Sequence, residues 1–169
     1  MLITRLRWSA LLLALFSSLL PASAAVFRVA NLDLATASPR QETQQASLGT
    51  IAEHLRDLSP DIILVQGIRD WATCNELVRL LSPVEFRVVI CSSFRQGKTQ
   101  TEIIDQVAIL TRHNGYFSWS EPWQTTTNTL IPGGFAFGAI GIGQTRLGCF
   151  STMMPANLPR AAYEEAARK

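Results

Sequence analysis

Histidine, cysteine and clustered charge are scarce in this 169-residue chain, and each shortage removes a class of function. The two histidines, His54 and His113, have no second triad candidate beside them in sequence, so each reads as an ordinary surface or internally bonded imidazole. The three cysteines, Cys74, Cys91 and Cys149, lack metal-site spacing and allow at most one internal disulfide. Cys74 falls on a helix face and the other two in apolar strands, so all three read as small buried hydrophobes, with a Cys91–Cys149 bridge left open. Charged residues are only 17% of the chain, and Arg28, Arg40, Arg56, Arg69, Arg79 and Arg87 are scattered singly, which does not indicate nucleic-acid binding. The apolar run Ala10 to Leu20 falls short of the roughly 20 residues a spanning helix needs. Internal repeats, low-complexity tracts and linkers are absent, and the 47% hydrophobic content is that of one globular domain.

The short apolar run has a different meaning once its flanks are read. Arg5 and Arg7 precede it, and Pro21-Ala22-Ser23-Ala24-Ala25 places small residues where a signal peptidase cuts. Residues 1–24 are therefore expected to be a signal peptide, with residues 25–169 secreted or periplasmic and free of the membrane after cleavage. Removing Arg5 and Arg7 leaves 13 basic against 13 acidic residues, so the apparent basicity belongs to the leader.

Strand and helix patterns then alternate. Val26 to Leu34 reads as a strand with Asn31 and Asp33 at its end. From Glu42 to Leu58, Leu48, Ile51, Ala52, Leu55 and Leu58 recur at helical spacing until Ser59-Pro60 stops the helix. Ile62 to Val65 is continuously apolar, which suits a strand covered on both faces. Asp70 can cap a second helix with Trp71, Cys74, Leu77, Val78 and Leu81 as its stripe. Strands are expected at Glu85 to Cys91, Ile103 to Leu110, Phe135 to Ile142 and Arg146 to Thr152, the last two joined by Gly143-Gln144-Thr145. Ser92 to Thr101 and Glu121 to Pro132 read as loops, and Arg160 to Lys169 as the start of a helix. The alternation argues one α/β domain.

Asn31-Leu32-Asp33 at a strand end, then a helix, a Pro-Asp turn and Ile62-Ile63-Leu64-Val65-Gln66, resembles the endonuclease/exonuclease/phosphatase (DNase I-like) superfamily in the order of its parts. Val107 to Arg112 is similar to a later core strand of that family with its following arginine, and Gly148 to Thr152 to the next one. The resemblance covers the N-terminal half only and implies half of a two-layer α/β sandwich, a mixed sheet with helices on one face. It implies metal-dependent phosphoester hydrolysis with Mg2+ held by oxygen ligands. Asn31 would orient the phosphate or nucleophile, and Asp33 would assist the metal.

Departures from the family pattern accumulate at other positions. Gly67 stands where the family has its metal-binding glutamate, and Met153 where it has a histidine or tyrosine that contacts phosphate. Neither glycine nor a thioether can do that work. The chain also stops before a Gly-Asp-Phe-Asn-like segment and a final Asp-His pair, so the domain is expected to be truncated. Asp61, Asp70, Glu102 and Asp105 do not obviously replace the missing ligand, while Asp105 and Arg112 are the nearest polar candidates for ligand contacts. The expected function is that of a secreted phosphoesterase-like protein inactive as an isolated chain; the alternative is a non-catalytic binding module or a gene remnant on the same scaffold. A phosphoester is the expected ligand. Because Ile62 to Val65 would leave an uncovered apolar face in a half domain, self-association or a chain supplying the missing half is expected as partner.

Overall fold

A computed structural model describes residues 26–34, 41–94, 105–124, 130–154 and 164. The proposed leader with its cleavage site, most of the expected 160–169 helix and most of the 92–101 loop lie outside these residues. The elements are β1 (Val29–Asp33), α1 (Gln41–Leu58), β2 (Ile62–Ile68), α2 (Trp71–Leu80), β3 (Arg87–Cys91), β4 (Gln106–Thr111), β5 (Asn114–Gln124), β6 (Leu130–Ile142) and β7 (Thr145–Met153).

Both helices follow from their expected patterns. Leu48, Ala52 and Leu55 bury the inner face of α1, and Asp70 caps α2 by accepting from the Thr73 backbone N–H at 2.8 Å and the Thr73 hydroxyl at 2.7 Å. They cover one face of a four-stranded mixed sheet in the order β1-β2-β4-β3, with β1 parallel to β2 and the other pairs antiparallel. The strand period of two divides the side chains. Ile63, Val65, Ala108 and Leu110 meet the helices, while Ile62, Leu64, Val107 and Ile109 point the other way.

That second set is where the structure departs from expectation. An antiparallel sheet ordered β5-β6-β7 packs on it, bringing Ala136 and Ile140 against Ile62, Val107 and Ile109. The inner face of β2 is thus covered by the chain itself and does not call for a partner. Each fully buried Ile of this interface contributes about 1.5–3 kcal/mol. Close approach of the strands depends on small residues. A Cβ on Gly134 would lie 2.3 Å from the Glu121 carbonyl oxygen and 2.5 Å from the Phe94 ring.

Strand β5 runs into the stretch from Glu121 that sequence patterns read as a loop. Its Ser118 faces inward, donating to the Val89 carbonyl at 3.3 Å, while Phe117 and Trp119 face outward. On that outer side Phe117, Trp119, Trp123, Phe135, Phe137 and Phe150 form one chain of ring contacts, with centroids 4.2 to 6.5 Å apart.

Candidate functional site

The C-terminal ends of β1 and β2 and the start of β4 meet at one edge of the mixed sheet. Parallel register sets Asn31 beside Leu64 and Asp33 beside Gln66, so all four share the face turned toward the second sheet. Because β1 is an edge strand, Asn31 and Asp33 are exposed there. Antiparallel pairing of β2 with β4 then brings Asp105 to the same end as Asp33. Desolvation raises the Asp105 carboxyl above the usual carboxylate range, and the Asp33 charge adds to the rise. Sequence reasoning assigns Asp105 to a separate strand and misses this meeting. The signal was an antiparallel neighbour, which pairs the start of one strand with the end of the other.

Gln66, next to Gly67, is committed to structure. Its amide donates to the Ser151 hydroxyl at 2.9 Å, and that hydroxyl donates to the Val65 carbonyl at 2.8 Å, which joins the two sheets. Gln106 plays a similar part, accepting from the Ser92 hydroxyl at 2.8 Å and the Phe94 N–H at 2.7 Å.

Gly67 differs from its neighbours in backbone as well as side chain. It is buried, has φ of 72°, and sits where the register between β2 and β4 shifts. This is a bulge whose left-handed residue favours glycine. Met153 ends β7 opposite Gly134, and its carbonyl accepts from the Trp123 indole at 2.8 Å.

Arg112 is not brought to Asp105. The two flank opposite ends of β4, roughly 20 Å apart along the strand. Arg112 instead holds buried Asp61, with Nη2 at 2.6 Å and Nε at 3.0 Å from Oδ1, and His113 Nε2 lies 2.9 Å from the same oxygen. Burial alone would raise the Asp61 carboxyl. Hydrogen bonds from the Arg28 backbone, His113 and Arg112, with the Arg112 charge, bring it down to about 2. His54 is exposed on α1.

Asp33 and Asp105 are hard oxygen donors of the kind magnesium takes. They are nonetheless two, and no group of three or more His, Cys, Asp or Glu side chains able to hold a metal occurs among the described residues. The described donors do not make the cation centre that the family pattern implies.

This α/β/β arrangement is the fold of DNase I-like endonuclease/exonuclease/phosphatase proteins, present as part of a domain. The chain is similar to an endonuclease/exonuclease/phosphatase family protein from Leptotrichia buccalis at 13% identity and a TM-score of 0.59, over 77% of this chain and 55% of that one. The protein of the same description from Beutenbergia cavernae matches at 13% identity and a TM-score of 0.60, over 84% and 42%. D. rerio TDP2, solved with a single-strand DNA product, matches at 10% identity and a TM-score of 0.59, over 84% and 52%. The chain therefore spans about half the length of the structures it matches. No family model and no curated protein matches it.

Proposed function

We propose that this chain is an exported protein built on the scaffold of divalent-metal phosphoesterases and that it does not hydrolyse phosphoesters by itself. The observation that carries this is the backbone at position 67, bulged and left-handed where the family pattern has a metal-binding glutamate. Asn31 and Asp33 retain the residue types of the pattern, and Asp105 beside Asp33 adds a second carboxylate, but His113 is engaged by Asp61 at the other end of the sheet. His113 therefore cannot serve as the base of this edge, which leaves Asp33 and Asp105 as its only carboxylates among the residues placed there.

A partner belongs to the same reading, with its seat moved. The matched structures carry about half their length beyond what this chain covers, and the outer face of β5-β6-β7 leaves Phe117 at 61% and Phe150 at 54% exposure. A second copy, or a chain resembling the part of the matched structures that this chain does not cover, would cover these rings.

Incubating the purified chain with magnesium and bis(p-nitrophenyl) phosphate tests the catalytic claim. No turnover above buffer is expected; hydrolysis lost on Asp33→Ala would overturn it. Sedimentation velocity tests the partner claim: concentration-dependent association, weakened by Phe150→Asp, is expected. A monomer at every concentration, with no gain on adding the C-terminal half of a matched protein, would remove it.

A further inference from the structure

Cys74 and Cys91 come from different elements and end in the same core. Cys74, one turn into α2, is fully buried against the helix-covered face of the mixed sheet. Cys91 ends β3 opposite Ala108, and Ala108 belongs to that same helix-facing layer. Register therefore turns the Cys91 side chain toward α2, where it packs half-buried against the cluster containing Cys74. The two thiols shift each other's acidity, and the Cys91 thiol donates to the Ser92 carbonyl at 3.6 Å. Cys149 lies elsewhere, on β7 in the cluster between the two sheets. The pairing left open by sequence, Cys91 with Cys149, joins residues on opposite sides of the mixed sheet.

We propose that Cys74 and Cys91 form a dithiol pair that closes to a disulfide between α2 and β3 on exchange with a small-molecule disulfide such as oxidised glutathione. Their roles are unequal. Interaction with Cys74 lowers the Cys91 thiol below its ordinary range against the opposing effect of burial, whereas interaction with Cys91, then burial, raises the Cys74 thiol. Cys91, half-buried at the end of β3, is the thiol a small disulfide can reach and so the attacking one, and Cys74, fully buried under α2, is the resolving one. Cys91 sulfur attacks one sulfur of glutathione disulfide and expels one glutathione thiolate. Cys74 sulfur then attacks Cys91 sulfur and expels the second. Two S–H bonds give one S–S bond, the protein loses two electrons, and the donor is reduced to two thiols that take up the two protons.

The test is maleimide labelling in denaturant, with intact and peptide mass measurement, after equilibrating the full chain in glutathione buffers. Three labels are expected under reducing conditions and one, at Cys149, after oxidation, reversibly. The Cys74→Ala variant should accumulate a glutathione adduct at Cys91. Closing the short loop between the two positions should raise Tm by roughly 6–12 °C. Three labels persisting in oxidised buffer, a bridge that includes Cys149, or only intermolecular bridges would overturn the proposal. Wild-type mapping decides the pairing even where a variant fails to fold.

Discussion

Replacing Asp61 with asparagine should destabilise the protein in a way that depends on pH. In the wild type one carboxylate receives the Arg28 N–H at 2.9 Å, both Arg112 nitrogens and His113, so it holds the start of β2, the segment before β1 and the turn after β4. Its side chain is only 8% exposed, which leaves little solvent screening. The folded value of about 2 lies below the ordinary 3.8, so ionisation favours the folded state. A depressed carboxyl contributes stability that is complete above the unfolded value and lost as pH falls through the folded one. The shift converts to about 2 kcal/mol at pH 7, about 1 at pH 3 and under about 0.5 at pH 2. Urea unfolding of wild type and Asp61→Asn, followed by tryptophan fluorescence from pH 7 to pH 2, reads the gap directly. A gap that stays constant between pH 7 and pH 3 would refute the ion-pair account and leave only a packing loss.

Other positions give sharper yes-or-no results. Gly67→Glu should lower stability by about 1–2 kcal/mol from left-handed backbone strain alone and yield no magnesium-dependent hydrolysis, checked by urea midpoint and phosphodiester assay. Ser151→Ala should cost about 1–3 kcal/mol in the same unfolding measurement, because the Val65 carbonyl and the Gln66 amide both lose their shared partner. Gly134→Ala, with its new Cβ 2.3 Å from the Glu121 carbonyl oxygen, should lower the unfolding free energy by about 1–3 kcal/mol. Gly49→Ala, in α1 with open space around it, should raise the unfolding free energy by about 0.5–1 kcal/mol.

The helix layer was readable because its chemistry is conventional. Leu48, Ala52 and Leu55 repeat at helical spacing, Asp70 caps, and Ile62 to Val65 is apolar on both sides because both sides are covered. Strand β5 was not readable because its polarity is reversed: Ser118 points inward to meet the close-packed first sheet, and aromatic rings point out. A pattern that assumes apolar-in and polar-out has no way to place such a strand, and Glu121-Pro122 added a loop signal inside it. The inner face of β2 is covered because β6, with β5 and β7 beside it, packs on it, where the half-domain reading left it open. At the candidate site, sequence identified Asn31, Asp33 and Gly67 one by one but not the company they keep, since Asp105 reaches Asp33 only through pairing across β2 and β4.

The fold persists at this edge because its polar residues are unequally committed to it. Asn31, Asp33 and Asp105 stand exposed at strand ends, where a substitution removes little buried surface. Gln66 and Gly67 lie deeper: the amide of one ties the two sheets through Ser151, and the backbone of the other sets the bulge that restores pairing at Ile68 with Gln106. A glutamate at position 67 would have to adopt the glycine's left-handed geometry or pull β2 out of register with β4. Pulling it out of register would move Gln66 away from Ser151 and open the junction between the sheets. Glycine at position 67 is therefore coupled to the present strand pairing, and Gly67→Glu meets resistance from the same contacts that join the two sheets.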